Sequence, residues 1–503
     1  MSGFGAGLVD DKAPGKIRTL SSIGHQPQFA RTAGDVPLVV DLDGTLAKVD
    51  TLHETFLQLA ATQPLKAFMA LLALGKGRTA FKAAIAGQVS PDWTTLPVDE
   101  AVLGAIREAR KDGREVYLAT ASDKRVAEGV ANAFGEFNGV FASEGQKNLK
   151  GQEKADRLID AFGLHGFDYI GNASADLPVW QAARTALISG ATLRLTRQFE
   201  GTLSGAIVLG ARKFNILPYL RALRPHQWLK NSLVALPAIA GHDFSFDSIL
   251  VLATAFLSFS LAASSIYLVN DMVDLPHDRA HAEKRHRPLA AGDMPVSHAL
   301  ALFVLVASFS VALALSLPWA FMLVLAFYGA LAMAYSFYLK RKLMIDVVAL
   351  AALYGIRVVA GGAATDIPLS DWLVGFCFFI FLSLALVKRA TEMIAQPEAS
   401  TGSIKGRGYC SADLPMINAL AGASGIVSAL VLSLYINTPD VKLLYERPQL
   451  LWGIGIVLVY WLGRVLLLTG RGEMRQDPVL FAATDRVSLL AGAFIAGLFL
   501  LAL

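Results

Sequence analysis

A chain of 503 residues is too long for one ordinary domain, and a formal net charge of +4 is too small to argue for a nucleic-acid partner. With 54% hydrophobic and 17% charged residues, the average conceals two halves: a mixed N-terminal half and a C-terminal half of long apolar runs. Two cysteines, Cys377 in an apolar run and Cys410 in a polar loop, exclude a disulfide framework and give no metal-ligand spacing.

Residues 1–30 read as a flexible N-terminus. The first 35 contain no charged start followed by an apolar core and a small-residue cleavage site, so no signal peptide is expected. At "VPLVVDLDGTL" an apolar strand runs into an Asp-Leu-Asp-Gly-Thr turn carrying Asp41 and Asp43. This stretch resembles the first motif of the haloacid dehalogenase (HAD) superfamily of phosphohydrolases. The resemblance implies that Asp41 attacks phosphorus and Asp43 shuttles the proton, both beside a magnesium ion. It also implies phosphate binding by Thr120 in "EVYLATASD" and charge neutralisation by a lysine, for which Lys150 and Lys154 in "NLKGQEKADRLIDAFG" are both candidates. In "FDYIGNASADLPVW" the family's acidic pair is half present. Asp176 is retained as a metal ligand, whereas Asn172 stands where a carboxylate is expected and offers an oxygen without charge, which lowers magnesium affinity.

Residues 31–195 therefore read as an α/β Rossmann-like HAD domain, with helical periodicity over residues 51–95 supplying a cap above the site. Within it "FMALLALG" is too short to span a bilayer and, although it could touch a membrane surface, is expected in the core of the cap. Residues 196–223 are expected to be a linker.

From residue 224 to the C-terminus the chain reads as an all-α polytopic membrane bundle. About nine spans are expected, near 228–241, 248–269, 297–315, 318–338, 343–364, 371–388, 413–436, 448–468 and 485–502. The basic clusters "RALRPHQWLKN", "RAHAEKRHRP", "LKRKL" and "KRATEMIAQPEASTGSIKGRGY" fall on one side of that arrangement, which the positive-inside rule makes cytosolic. The expectation is a multi-pass protein of the inner (plasma) membrane, with the N-terminal domain and these loops in the cytoplasm.

The stretch "NDMVDLPHD" places Asn270, Asp271, Asp274 and Asp278 at intervals that share one helical face if the preceding helix continues, although Pro276 suggests a bend there. Like charges stacked this way repel unless a cation sits among them. The pattern resembles the signature of the UbiA superfamily of intramembrane prenyltransferases, and the resemblance extends over residues 220–503. It implies that these residues hold magnesium against a diphosphate, which then departs as a leaving group.

Members that use prenyl diphosphate carry a second acidic pair after a Tyr-x-Lys-Arg stretch. In "YSFYLKRKLMIDVVAL" Asp346 has no acidic partner four residues to either side. The blocks "LRPHQWLKN", "DRAHAEKRHRPLAAG", "GIRVVAGGAA" and "LVKRATE" instead resemble decaprenyl-phosphate phosphoribosyltransferases, which join 5-phosphoribosyl diphosphate (PRPP) to a polyprenyl phosphate. Three anionic groups then meet, for which Lys230, Arg279, Lys284, Arg285, Arg287, Lys340, Arg357, Lys388 and Arg389 are candidate partners. Arg357 stands out, because an arginine inside an apolar run needs an anionic partner. Lys340 serves equally well as a topology anchor, Trp228 reads as an interfacial anchor, and Asp477, Asp485 and Arg486 read as a loop between the last spans.

The reading is magnesium-dependent transfer of 5-phosphoribose from PRPP to a polyprenyl phosphate in the bilayer, with removal of the 5-phosphate by the HAD domain as a sequel. The product would feed ribose or arabinose donors for cell-envelope or secreted glycans. Two alternatives stay open: an aromatic or porphyrin prenyltransferase using prenyl diphosphate, and a transferase whose HAD module is catalytically dead and regulatory.

Overall fold

The computed structural model describes residues 18–19, 36–76, 78–89, 91–144, 148–191, 203, 205–211, 215–395, 408–474 and 477–503. The chain divides into two compact units. One comprises Met1–Ala222 with Asp271–Ala301, the other Leu223–Asn270 with Leu302–Leu503.

The first unit is built on a parallel sheet of β1 (Arg18–Thr19), β2 (Leu38–Val40), β3 (Val116–Asp123), β4 (Gly139–Ser143), β5 (Asp168–Gly171), β6 (Thr185–Ala191) and β7 (Ile207–Ala211), in the order β1-β7-β6-β5-β2-β3-β4. β2 pairs with β3 on one side and β5 on the other, in register Leu38↔Val116 and Leu38↔Asp168. Its residues are buried throughout, as expected of a parallel strand covered on both faces. The chain winds to opposite sides of β2, so the carboxyl end of that strand lies at the switch point where open α/β sheets bind ligands. This is the parallel α/β architecture expected around the Asp-Leu-Asp-Gly-Thr turn.

Two boundaries differ from expectation. The segment 196–223 is not simply a linker: "IVLGA" forms β7, pairs with β6 and buries Val208 and Leu209. Within 1–30, Arg18–Thr19 pairs with β7. An apolar run of strand length gains more by joining a sheet edge than by staying solvated.

The cap consists of helices α1 (Thr51–Thr62), α2 (Pro64–Leu72) and α3 (Arg78–Ala86) around Leu59, Ala67, Ala70, Phe81 and Ile85. Contrary to expectation, "FMALLALG" does not fill that core. Ala67 and Ala70, three residues apart, face inward, while Leu65, Phe68, Met69, Leu71 and Leu72 are exposed. Small residues at that spacing let three short helices pack closely and leave the large side chains outside. Beyond the cap, helices α4 (Glu100–Lys111), α5 (Lys124–Phe134), α6 (Gln152–Phe162) and α7 (Leu177–Ala182) complete the layers around the sheet.

In the membrane region seven helices are long and apolar enough to cross a bilayer: α8 (Phe246–Val273), α10 (Val296–Ala314), α11 (Trp319–Phe337), α12 (Ile345–Thr365), α13 (Asp371–Ile394), Ser411–Ile436, whose α-helical part is α14 (Leu414–Ile436), and Pro448–Gly470, which contains α15 (Leu451–Gly470). Between α8 and α10 lies the short helix α9 (Leu275–Ala280). An eighth crossing is counted if the pair α16 (Pro478–Thr484) and α17 (Arg486–Ala502), bent by 80°, acts as one span. The expected nine therefore become seven or eight among the described residues. The run 228–241 is a 3-10 helix, Pro225–Ala235, followed by the short helix Leu236–Ala240. Pro225 and Pro237 each remove a backbone donor, which disfavours one continuous α-helix there. This element approaches α12 closely at Gly361, where a Cβ would stand 1.9 Å from the Val234 carbonyl oxygen, so only glycine fits.

Candidate active site

At the tip of β2 the backbone N–H of Asp41 donates to the Ile170 carbonyl at 2.9 Å, so the neighbouring strand fixes the turn. Asp41 Oδ1 accepts from Lys154 Nζ at 2.8 Å, and Asp41 Oδ2 accepts from Thr45 Oγ1 at 3.2 Å. Lys154, at the start of α6, also donates to the Tyr169 hydroxyl at 2.9 Å and lies 3.5 Å from Asp176 Oδ1. Tyr169 in turn donates to Asp176 Oδ1 at 3.0 Å. Lys150 is exposed. Of the two candidate lysines, the structure brings Lys154 to Asp41.

Asp43 Oδ1 accepts from the backbone N–H and hydroxyl of Thr51 at 2.7 and 2.8 Å, and its Oδ2 accepts from Ser122 Oγ at 2.6 Å and Thr120 Oγ1 at 3.5 Å. Asp176 Oδ2 accepts the backbone N–H groups of Asn172 and Ala173 at 3.2 and 3.1 Å. Asn172 lies against Gly44, where a Cβ would stand 2.2 Å from its Nδ2 and φ is +77°. The positive φ favours glycine there, and a Cβ would push the Asn172 amide aside. Lys82 on α3 of the cap reaches the Ala121 carbonyl at 2.8 Å, closing one wall.

Burial pushes the Asp41 carboxyl up to about 7; Lys154 opposes the shift, while Asp176 and Asp43 reinforce it. Burial, with Asp50, also raises Asp43, against hydrogen bonds from Ser122 and Thr51. Burial works against the charge on Lys154, but Asp41 and Asp176 overcome it and raise its pKa. Three crowded carboxylates share one ammonium, so the donor set is rich in hard oxygen and short of positive charge. Among the described residues no three His, Cys, Asp or Glu side chains are grouped to hold a metal ion unaided. A magnesium ion asks less than that, since it binds through one or two carboxylates, waters and substrate phosphate. These residues fit it.

Sequence reasoning missed Thr51, Tyr169, Lys82 and Ser122. Only Ser122 carried a signal, since it lies two residues beyond Thr120 on the same face of β3.

The acidic stretch is not one continuous helix. α8 ends at Val273, and α9 begins with Pro276 in its first turn and Asp274 at its N-cap position. Proline is well tolerated at such a start, so Pro276 opens a new helix instead of fraying the old one. Asp271 and Asp278 are buried and converge on Arg287, whose Nη1 lies 3.1 Å from Asp271 Oδ1 and 2.6 Å from Asp278 Oδ2. A guanidinium thus supplies the counter-charge expected between these acids, and the pair of carboxylates facing one point is a hard-oxygen set of the kind magnesium takes. Arg279 is held elsewhere, by Glu54 on α1. Lys284 and Arg285 are exposed.

The second unit contains a cavity of about 420 Å³ lined by Arg224, Lys230, Asn270, Arg357, Lys388 and Asp477, with Tyr328 and Tyr354 among its walls. Lys230 and Lys388 both reach Asp477 Oδ2, at 2.7 and 3.1 Å, and the Tyr354 hydroxyl lies 3.3 Å from Asp477 Oδ1. Burial works to raise the Asp477 carboxyl, but the two lysines win and hold it well below the usual range. Asp477 was expected to be an inert loop residue and instead sits among the cavity's cations.

Arg357 Nε donates to Asn231 Oδ1 at 2.8 Å, and the guanidinium lies over the rings of Tyr328, Phe259 and Tyr354 at 5.2, 5.4 and 5.7 Å. Among the described residues its hydrogen-bond partners, which include the Leu353 carbonyl and the Tyr328 hydroxyl, are all neutral. Arg389 and Lys340 do not line this cavity. Arg389 is fully buried and pairs with Asp346 at 2.7 Å, while Tyr409 donates to the same carboxylate at 2.5 Å. Trp228, expected at an interface, is half-buried and donates to Ser264 Oγ at 2.9 Å.

Comparison with known proteins places residues 232–481 in the match to the UbiA prenyltransferase family model. The uncharacterized protein y4nM of Sinorhizobium fredii is 37% identical over 93% of this chain and 91% of its own length, so the likeness includes the N-terminal unit. The nodulation protein NoeC of Azorhizobium caulinodans is 30% identical over 56% of this chain and 91% of its own length. The decaprenyl-phosphate phosphoribosyltransferase of Mycolicibacterium smegmatis is 41% identical over 179 residues, which span 35% of this chain and 56% of that protein.

Proposed function

We propose, for a chain that belongs to the UbiA prenyltransferase family and crosses the membrane several times, that it transfers 5-phosphoribose from PRPP to a polyprenyl phosphate and that its HAD-like unit then removes the 5-phosphate. The observation that carries the reading is the cavity of the second unit. It gathers Arg224, Lys230, Arg357 and Lys388, and the hydrogen-bond partners of Arg357 are neutral. A buried guanidinium without a counter-ion is costly in apolar surroundings, and two oxygens of a phosphate offer a bidentate match for its planar fork.

PRPP is favoured over prenyl diphosphate by the state of Asp346. The residue that would serve a second metal pair is fully buried against Arg389 and Tyr409. The phosphoribosyltransferase relative supports the same donor class.

In the first reaction Asn270 lines the cavity from the last turns of α8, and Asp271, Asp274 and Asp278, which follow it along the chain, would hold a magnesium ion for the diphosphate. When bound there, magnesium would neutralise the diphosphate and make it a better leaving group. Arg357 and Lys388 hold phosphate oxygens, and Asp477 keeps Lys230 and Lys388 oriented. As the bond from ribose C1 to the diphosphate breaks, a lipid phosphate oxygen bonds to the opposite face of C1, with inversion. The lipid phosphate is already anionic, so orientation and charge neutralisation carry the step without a general base.

In the second reaction Asp41 Oδ attacks the 5-phosphate, and the phosphorus–oxygen bond to ribose breaks. Asp43, held by Thr51 and Ser122, protonates the departing oxygen, and Lys154 balances the charge on Asp41. Water then releases inorganic phosphate. The positive-inside rule favours the cytoplasmic side of the inner membrane for the active-site loops, and the bond from Arg279 to Glu54 keeps the HAD-like unit on the same side as the aspartate loop.

Purified protein given ribose-labelled PRPP and polyprenyl phosphate with magnesium should move label into lipid and then release inorganic phosphate from the lipid product. Phosphate release that is unchanged in Asp41→Asn would remove the second half of the reading.

A further inference from the structure

We infer that the phosphatase-like module positions the aspartate loop of the transferase, with Glu54 on cap helix α1 as the positioning residue. Arg279, the residue after Asp278, is gripped by Glu54 through two parallel bonds, Nη1 to Oε2 at 2.7 Å and Nη2 to Oε1 at 2.8 Å. Its Nε donates to the Ala290 carbonyl at 3.2 Å, which ties the outgoing limb of the loop to the same guanidinium. Both side chains of the pair are 7% exposed. A bidentate, buried arginine–carboxylate pair fixes direction as well as distance, unlike an exposed ion pair.

Two further contacts seat the loop on this module. Gly292, at φ +72°, lies so close that a Cβ would stand 2.9 Å from Lys48 Cβ and 3.1 Å from Pro97 Cγ. Tyr219 and His298 share a 2.7 Å hydrogen bond. The loop segment Asp271–Ala301 accordingly clusters with Met1–Ala222 as one compact unit.

The consequence falls on the acids. Asp278 and Arg279 are consecutive on the six-residue helix α9, so fixing Arg279 fixes the direction of Asp278, and Arg287 then draws Asp271 and Asp278 to one point. Small misplacements of such groups weaken metal and diphosphate binding. Glu54 stands one turn after Thr51, whose backbone and hydroxyl hold Asp43, so the helix that serves the phosphatase-like site also holds the transferase loop. A fused phosphatase module is then a structural requirement of the transferase as well as the owner of a second active site.

This inference rests on the reading of the acids as magnesium ligands, and the test separates the two. Hydrogen exchange on the full chain is followed through residues 271–292, with magnesium and inorganic diphosphate as the probe. In Glu54→Gln and in Arg279→Gln, the loop without ligand should exchange about tenfold faster than wild type, and about tenfold more diphosphate should be needed to protect it. Exchange through β2 and β3 should stay as in wild type, which a general loss of folding would not allow. The charge-reversed pair Glu54→Arg with Arg279→Glu should recover part of the protection. Equal exchange of the unliganded loop in wild type and both single variants overturns the inference. A wild-type loop that diphosphate never protects overturns the magnesium-diphosphate reading, while the unliganded comparison still decides the role of Glu54.

Discussion

Lys230 donates to Asp477 across 2.7 Å although 247 residues separate them in the chain. The contact joins the 3-10 element Pro225–Ala235 to the turn before α16, and Lys388 from α13 meets the same oxygen at 3.1 Å. One carboxylate thus orders two of the cavity's cations.

Removing that carboxylate leaves the buried Lys230 ammonium facing the half-buried Lys388 ammonium. Asp477→Asn is expected to destabilise the membrane unit by about 3–5 kcal/mol, the range for breaking one side of a buried pair. Thermal unfolding in detergent reads this. A melting temperature equal to wild type would show that the lysines find other partners.

Arg357 has the opposite profile, because its hydrogen-bond partners are neutral. Arg357→Met keeps the bulk and removes a buried cation, so the fold should hold its melting temperature while affinity for a phosphate-bearing donor falls about tenfold or more. Equilibrium binding of labelled PRPP checks this. Unchanged affinity would take Arg357 out of the site.

Lys154 touches Asp41, and Lys150 is exposed. Lys154→Ala should abolish release of inorganic phosphate and lower stability, whereas Lys150→Ala should leave both near wild type. Equal losses in the two variants would contradict this geometry.

The Asp41 carboxyl, pushed up to about 7, fixes the sign of a pH effect. Its unfolded value is near 4. Between those values the magnesium-free folded chain keeps a proton that the unfolded chain has released, so stability declines as pH rises from about 4 to 7 and levels off above. The proton also competes with metal, so magnesium affinity at this site should climb up to about pH 7. Melting temperatures of metal-free wild type and Asp41→Asn, taken across that range, test it. The slope should be smaller in the variant, and parallel curves would refute the assignment.

What was legible in the sequence was local. The Asp-Leu-Asp-Gly-Thr turn after an apolar strand, the helical cap, and the acids after a membrane run all announce themselves within about a dozen residues, through strand and helix periodicity. Pairings across the chain do not. Nothing in the spacing distinguishes Lys154 from Lys150, and the turn of α6 that carries Lys154 to β2 emerges only when β5 and β2 align. Asp477 looked like an ordinary loop acid because its lysines lie on other elements. Arg389 reads as a candidate phosphate partner within "LVKRATE", yet adjacent helical residues point in different directions, and Arg389 turns inward to Asp346. The run 228–241 had the hydropathy of a span, but its prolines and its close approach to Gly361 fold it as a 3-10 helix and a short helix.

The most direct test of the account is donor competition in one vessel. The purified chain receives polyprenyl phosphate, magnesium, PRPP labelled in the ribose and prenyl diphosphate carrying a different label, with Asp271→Ala as the blank. The account predicts ribose label in the lipid fraction, absent from the blank, with prenyl diphosphate consumed no faster than in the blank. Prenyl label entering a product while ribose label stays in water would contradict it.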